Sequence, residues 1–401
     1  MIDTSRTMLY YVNNLNTKNA QISYSMGSGK AIKDGSDDST LFATLNNLED
    51  KLRVTKDLDL QLVKSKAIND SADRSVADDK KILEDIKVDL LKSLNDGMDR
   101  DDKLALATNM RGMRENLIDQ SNTEVDGEFV FSGSDTTTRA IIKDKDYKLN
   151  GKVTYEGNGF LRQIAVAPGS YRDRGITAYD VNFYTASKAG AGESFTFSAG
   201  ERIIDENGNE WKLNDAKDKL QKYDHNGKLY DPAIELSIDS DTDEQEATDD
   251  SQAVQATYTI DALPDQPAGR VFEAKHNYFD DLNIVINALE GKVTQLDGTA
   301  GATVDDDVVD DTLRTGLDHT AKQYNATNIG HGELGGRNKV FDVAYEKNEA
   351  KITNYNILLQ QYGGADLTKL SMDSKALEMT YSALYSTISK LNDLTLLKYL
   401  N

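Results

Sequence analysis

The chain has 401 residues, more than one small domain usually holds, and its 68 acidic against 46 basic residues give a formal charge of −22. That balance excludes non-specific attraction to nucleic-acid phosphates or anionic membranes. The absence of cysteine removes disulfides, thiolate nucleophiles and cysteine metal sites together.

No run of about twenty apolar residues is present to span a bilayer. The opening Met1-Ile2-Asp3-Thr4-Ser5-Arg6 lacks the charged and apolar regions of a cleaved signal peptide. All four prolines, Pro168, Pro232, Pro264 and Pro267, and the single tryptophan, Trp211, fall between about 140 and 270. The flanks are free of proline, which costs about 3 kcal/mol in a helix interior, so long helices are expected there.

In the first flank Met8, Val12, Leu15, Asn19, Ile22 and Met26 step by four and three, a heptad stripe with one polar interruption. It ends at Gly27-Ser28-Gly29-Lys30, and Leu41, Leu45, Leu48 and Leu52 restart the pattern. Ala72, Val76, Leu83, Ile86, Leu90 and Leu94 carry it to Asn95-Asp96-Gly97, a helix stop. At about 1.5 Å per residue, the span from Leu41 to Leu94 predicts a rod on the order of 80 Å long. Asp99, Asp101 or Asp102 caps a returning helix in which Leu106, Met110, Met113 and Leu117 share a face.

The pattern changes at Gly127-Glu128-Phe129-Val130-Phe131-Ser132-Gly133, where alternation and glycine replace helical spacing. Lys152 to Tyr155, Arg162 to Val166, Ser194 to Ser198 and Ala256 to Ile260 read as short strands, with Glu156-Gly157-Asn158-Gly159 and Glu206-Asn207-Gly208-Asn209 as hairpin turns. Asp239 to Asp250, rich in acid and without a basic residue, reads as a solvated loop. Beyond it a helix is expected from near Phe272, through Phe279, Leu282, Val285, Ile286 and Leu289, and another from Asp306 to Tyr362. Leu377, Tyr381, Leu384, Ile388 and Leu391 form the cleanest heptad stripe of the chain. The fold expected is mainly α with a β insert: a long antiparallel helical rod or coiled coil built from both termini, with a central β-rich domain. The corresponding domains are 1–33 with 364–401, 34–139 with 270–363, and 140–269.

Chemistry-bearing motifs are weak. Gly27-Ser28-Gly29-Lys30 lacks the Walker spacing, because Tyr24 and Ala31 stand where a glycine and a Ser or Thr are needed; a hinge between helices is expected. Asp34, Asp37 and Asp38 lack the alternating pattern of a calcium loop and read as turn and cap residues. Asp305, Asp306, Asp307, Asp310, Asp311 and His319 read as a charged helix start. No HExxH pair or G-x-S-x-G elbow accompanies His225, His276, His319 and His331. Trp211, Tyr223, Tyr230 and Tyr258 are the only candidates for a carbohydrate-stacking platform, with core packing the plainer expectation.

The ordered turns resemble the flagellin superfamily, in particular its hook–filament junction branch. Ser28-Gly29-Lys30-Ala31-Ile32 followed by Ser36-Asp37-Asp38 resembles the branch's S-G-K-R-I and S-D-D turn. Glu128-Phe129-Val130-Phe131-Ser132-Gly133 resembles its aromatic F-S-G hairpin. Tyr155-Glu156-Gly157-Asn158 resembles the strand that opens its β domain, and Leu394-Thr395-Leu396-Leu397-Lys398-Tyr399-Leu400 its closing L-S-L-x-x-Y-L. The departures are Gly35 and Ser39, which stand where relatives carry proline.

The resemblance implies a structural subunit, not an enzyme, without cofactor or metal. It would be exported unfolded, with a cytoplasmic chaperone and no cleaved signal peptide, through the flagellar type III channel. Outside the cell it would self-associate in a ring or helical assembly between a neighbouring hook-associated protein and flagellin, as the adaptor on which flagellin polymerises. Neither nucleic acid nor membrane is an expected partner. The implied assembly interface comprises Met8, Val12, Leu15, Ile22 and Met26 with Leu377, Tyr381, Leu384, Ile388 and Leu391. The implied hinge and signature turns comprise Ser28, Gly29, Lys30, Ser36, Asp37 and Asp38, and Phe129, Phe131, Ser132 and Gly133. The alternatives are flagellin itself, or a flagellar scaffold carrying a carbohydrate-binding or hydrolytic insert.

Overall fold

The computed structural model describes residues 2–94, 98–145, 147, 151–198, 201–224, 228–238, 257–263, 271–292 and 306–399. The expected stop at Asn95-Asp96-Gly97, the acidic stretch 239–250 and Leu400 lie outside the described residues. The chain is mainly helical with a β-rich insert, and its contacts divide it into two compact units, Met1–Leu60 with Tyr345–Asn401, and Gln61–Ala344.

The first unit contains α1 (Ile2–Ser28), the start of α2 (Ser39–Ser93), the end of α6 (Asp306–Gly363) and α7 (Leu367–Tyr399). Each new helix starts on an aspartate. The Asp38 carboxylate accepts from the amides of Thr40 and Leu41 at 3.0 and 2.9 Å, and Asp366 accepts from Thr368 and Lys369, both at 3.0 Å. These bonds satisfy donors that the first helical turn leaves without partners. Helices α1 and α7 lie side by side, and the Tyr381 hydroxyl donates to Asn16 Oδ1 at 2.7 Å.

In the second unit α2 is met by α6 running in the opposite direction. Lys66 pairs with Asp342 at 2.5 Å, Asp73 with His331 at 3.1 Å, Lys80 with Asn328 at 2.7 Å and Glu84 with Tyr324 at 2.8 Å, so partner numbers fall on α6 as they rise on α2. Asp99 caps α3 (Arg100–Ser121) through the amide of Asp102. This helix lies against α5 (Tyr278–Leu289) through Arg111–Glu290 at 2.6 Å and Arg114–Asn283 at 2.9 Å. The stripes expected from spacing meet in the core: Ala72, Val76, Leu83, Ile86 and Leu90 from α2, Met110, Met113 and Leu117 from α3, and Phe279, Leu282, Val285, Ile286 and Leu289 from α5. Each fully buried aliphatic or aromatic side chain contributes about 1.5–3 kcal/mol relative to exposure.

Two expectations fail at strand boundaries. Phe272 does not start a helix; it lies in β14 (Val271–Asn277), and α5 begins only at Tyr278, where the Asn277 side chain accepts from the Phe279 amide. Phe272 and Ala274 are buried while Glu273 and Lys275 are half-buried, the alternation of a strand, and this merges with helical spacing one residue later. Glu156-Gly157-Asn158-Gly159 is not a hairpin turn either. Its preceding strand β4 (Val153–Tyr155) pairs backwards with β3 (Ile141–Lys143), and its following strand β5 (Arg162–Ala167) pairs forwards with β6 (Ser170–Arg174).

The insert is an antiparallel six-stranded sheet in the order β12-β11-β10-β9-β14-β7. Here β7 is Phe183–Gly190, β9 Arg202–Asp205, β10 Glu210–Leu213, β11 Lys219–Tyr223 and β12 Glu235–Ser237. The expected turn at Glu206-Asn207-Gly208-Asn209 joins β9 to β10. A separate pair, β8 (Phe195–Ser198) with β13 (Thr257–Ile260), supplies Phe195, Phe197, Tyr258 and Ile260 to a second core around Trp211 and Phe272. A short helix α4 (Ala178–Val181) and the hairpin β1 (Glu124–Val125) with β2 (Glu128–Phe129) lie between the α3 helix and the sheet in sequence.

Candidate assembly surface and signature turns

The first signature turn is held from two sides. Ser28 closes α1 by donating from Oγ to the Tyr24 carbonyl at 2.7 Å, and the Gly29 amide donates to Ser25 at 2.9 Å. Gly29 adopts φ +70°, a conformation that favours glycine. The chain then pairs with the α6–α7 turn: the Ala31 amide donates to the Gly363 carbonyl at 2.8 Å, and the Ala365 amide to the Gly29 carbonyl at 2.9 Å. Lys30 and Gly364 thus face each other in an antiparallel bridge. These bonds occupy the amides of Gly29 and Ala31, and Lys30 N is bonded to Ser28 Oγ at 3.2 Å, so the loop offers no phosphate cradle.

The two aspartates of Ser36-Asp37-Asp38 do different work. Asp38 caps α2, while Asp37 closes the loop before it, accepting from the amides of Lys33 and Asp34 and from Gln21 Nε2 at 2.8, 3.4 and 2.5 Å. The Lys33 amide first, and then Gln21, hold the Asp37 carboxyl below the usual carboxylate range. Ser36 is bound to the Asp34 carboxylate through its amide at 3.0 Å. Asp34, Asp37 and Asp38 thus serve as turn and cap residues, accepting from nearby amides; among the described residues no group of three metal-ligating side chains occurs.

The terminal stripes are partly covered. Met8, Val12, Leu15 and Ile22 on α1 and Tyr381, Leu384 and Ile388 on α7 are half-buried, Leu377 is buried, and Met26 is exposed. The side chain of Leu391 lies outside the described ones. Other large apolar side chains on the same helices are exposed, among them Leu9, Tyr10, Tyr11 and Met372, and Met379 at 74%.

The second signature converges on a point that spacing does not reveal. Phe131 and Ser132 are fully buried; Ser132 Oγ donates to the Thr138 carbonyl at 2.5 Å, and the Phe131 carbonyl accepts from the Ala178 amide at 2.9 Å. The Ser132 carbonyl accepts from the Asn158 amide at 3.1 Å, and the Tyr155 hydroxyl donates to the Asn158 carbonyl at 2.9 Å. Two sequence signatures, Phe-Ser-Gly and Tyr-Glu-Gly-Asn, are therefore one packed joint. Gly133 has φ +80°, and a side chain there would collide with the Asn158 and Phe160 carbonyls. Phe129 is half-buried; beside it Glu128 takes Arg174, Arg162 and Lys64 at 2.6, 3.1 and 3.1 Å. Burial alone would raise the Glu128 carboxyl, but its bonds to Arg174 and Lys64 hold it below the usual range.

Of the carbohydrate-platform candidates, Trp211 and Tyr258 are core residues, while Tyr223 is half-buried and Tyr230 exposed. Trp211 and Tyr258 are 1% and 2% exposed and belong to the insert core, with Trp211 Nε1 donating to Asp205 at 3.2 Å. His319 does not join the acidic helix start; its Nδ1 lies 3.0 Å from Asp281 Oδ1. Spacing missed this cluster, in which Asp281 also takes His276 Nε2 at 3.1 Å and the Tyr184 hydroxyl at 3.0 Å. It also missed the Gly363-Gly364-Ala365-Asp366 turn, whose glycine pair before an aspartate cap was the available signal.

Among the described residues no helix is long and apolar enough to cross a membrane. No family model and no curated protein matches the chain. Solved structures do resemble it in fold. They include FlgL of Xanthomonas campestris, at 15% identity over 78% of this chain and 99% of that one, with a TM-score of 0.49. The flagellar junction protein FlgL of Legionella pneumophila matches at 14% identity over 80% and 99%, with a TM-score of 0.47. A flagellar hook-associated protein 3 from Legionella pneumophila matches at 16% identity over 80% and 98%, with a TM-score of 0.41.

Proposed function

We propose that the chain is a structural subunit of the bacterial flagellum that forms the junction between hook and filament, an adaptor on which flagellin polymerises. The observation that carries the reading is the order of signature turns along one chain, Ser28 to Asp38, Phe129 to Gly133, Tyr155 to Asn158 and the Leu394 to Leu400 ending, between two heptad-bearing terminal helices. The half-covered stripes and exposed apolar side chains of α1 and α7 suit a subunit that completes its packing against copies of itself. In this reading α2, α3, α5 and α6 make an antiparallel helical rod. The organisation is 1–33 with 364–401 as terminal coiled coil, 34–139 with 270–363 as rod, and 140–269 as outer domain.

The subunit acts as a scaffold, outside the cell, after export as an unfolded chain held by a cytoplasmic chaperone. Its neighbours are a second hook-associated protein on one side and flagellin on the other. The test is deletion of the gene in its host, followed by electron microscopy and assay of the medium. Intact hooks without filaments, with flagellin released, are the expected result; normal filaments would overturn the reading.

A further inference from the structure

Helix α6 contains Gly330, Gly332, Gly335 and Gly336 near the middle of its 58 residues. Glycine lowers helix stability relative to alanine by a factor of about five in the local folding constant, so such a cluster needs a reason. Gly330 has one: a Cβ there would lie 2.9 Å from the Asp180 carbonyl oxygen and 2.9 Å from Ile176 Cδ1. The other three do not, because a Cβ on Gly332, Gly335 or Gly336 would meet nothing within 4 Å, and all three are exposed. Packing therefore leaves these three positions free to carry side chains.

The inner face of the same turns is pinned. Leu334 is fully buried, Arg337 Nη1 donates to the Gly175 carbonyl at 3.0 Å, and His331 lies 3.1 Å from Asp73 on α2. The facing stretch of α2, between the Lys66–Asp342 and Lys80–Asn328 links, is itself weakened. Asn69 and Asp79 there are each 1% exposed, and neither side chain has a hydrogen-bond partner; the buried Asn338 Oδ1 on α6 is likewise without one. Near this level of the helix pair, three poor helix formers lie on the outer face of α6, while the inner side holds buried polar groups without hydrogen-bond partners, Asn69 and Asp79 on α2 and Asn338 Oδ1 on α6.

We propose that α6 between His331 and Arg337 is a built-in joint, at which the helix opens and bends about its pinned inner face while the turns on either side stay helical. Helices kink at glycine pairs, and Gly335-Gly336 supplies one. The proposal concerns the chain's own conformational freedom and stands independently of the flagellar reading.

Amide hydrogen exchange on the full chain tests it. The amides of 332–340 are expected to exchange about tenfold faster than those of 311–325 on the same helix. The triple variant Gly332→Ala, Gly335→Ala, Gly336→Ala is expected to fold, to leave 311–325 unchanged, and to slow exchange at 332–340 by about a hundredfold. Gly330→Ala, placed in the crowded position, should not slow it. Protection of 332–340 equal to 311–325 in the wild-type chain would overturn the joint. So would unchanged exchange in the triple variant, or its failure to fold, since either result denies that these glycines are free of packing and set local stability.

Discussion

Asp281 sits where α5, α6, β7 and β14 meet, with His276, His319 and Tyr184 on its two oxygens. Burial alone would lower the His276 pKa, but its bonds to Asp281 and Glu201 raise it to about 10. Because the folded value lies above the unfolded one, the stabilisation is complete below about pH 6.5 and is lost as pH rises through about 10. Asp280 beside it, pushed up to about 6 by burial, works in the same sense: folding is favoured as pH falls through that value. Urea denaturation is expected to show stability falling between pH 7 and pH 10 by roughly 2–5 kcal/mol. The Asp281→Asn variant should be less stable at pH 7 and show a shallower slope over that range, with Glu201 still beside His276; an undiminished slope in the variant would assign the effect elsewhere. At a second residue, Gly133→Ala combines a positive φ with a collision against two carbonyls. It is expected to cost about 3 kcal/mol or more and to lower Tm, whereas Gly127→Ala, with open space, should cost less. Nothing in the spacing around His276, Asp281 and His319 announces their meeting, because the three come from β14, α5 and α6. Gly133, by contrast, was legible as part of a signature turn.

Among the elements, α2 shows how far periodicity reaches. Ala72, Val76, Leu83, Ile86 and Leu90 were expected on one face and are buried there. Asp79 falls on the same face, 1% exposed with neither oxygen hydrogen-bonded, and burial raises its carboxyl well above the usual value. Replacing such a group by an apolar one is often stabilising. Asp79→Leu is expected to raise stability at pH 8 by about 1–3 kcal/mol. The gain should shrink on acidification: the folded wild-type chain takes up its proton before the unfolded one does, so wild-type stability rises as pH falls. A variant less stable than wild type at pH 8 would mean that Asp79 has a function in the fold. The end of β14 marks the limit of such reading, since Phe272 and Phe279 belong to one apolar series in sequence. Only the pairing of β14 with β9 and β7 makes the first half of that series a strand.

On the scale of the molecule, the stripes of α1 and α7 are half-covered, whereas those of α2, α3 and α5 in the second unit are buried. Amides near Leu384 and Ile388 are therefore expected to exchange faster in the free monomer than those near Ile86 and Met110, and to become protected on assembly. Strong protection at Leu384 before assembly would argue against the need for neighbours. If α1 and α7 carry the proposed assembly, removal of 377–399 should leave the thermal transition of the second unit in place and abolish any self-association read by light scattering.

The sequence alone determined the features that depend on near neighbours: the proline-free helical flanks, an aspartate cap among Asp37 and Asp38 and another among Asp99, Asp101 and Asp102, the Asn207-Gly208 turn, and the ordered signatures. Caps, turns and stripes are set by hydrogen bonds and side-chain directions within a few residues, so their signal is local. Tertiary structure decided what closes over long separations. It joined Gly29 to Ala365, set Ser132 against Asn158, drew Trp211 into the insert core, and gathered His276 and His319 on one carboxylate. Those contacts exist only after loops have closed and apolar surface has been buried, and no spacing within one segment encodes the partner that another segment brings.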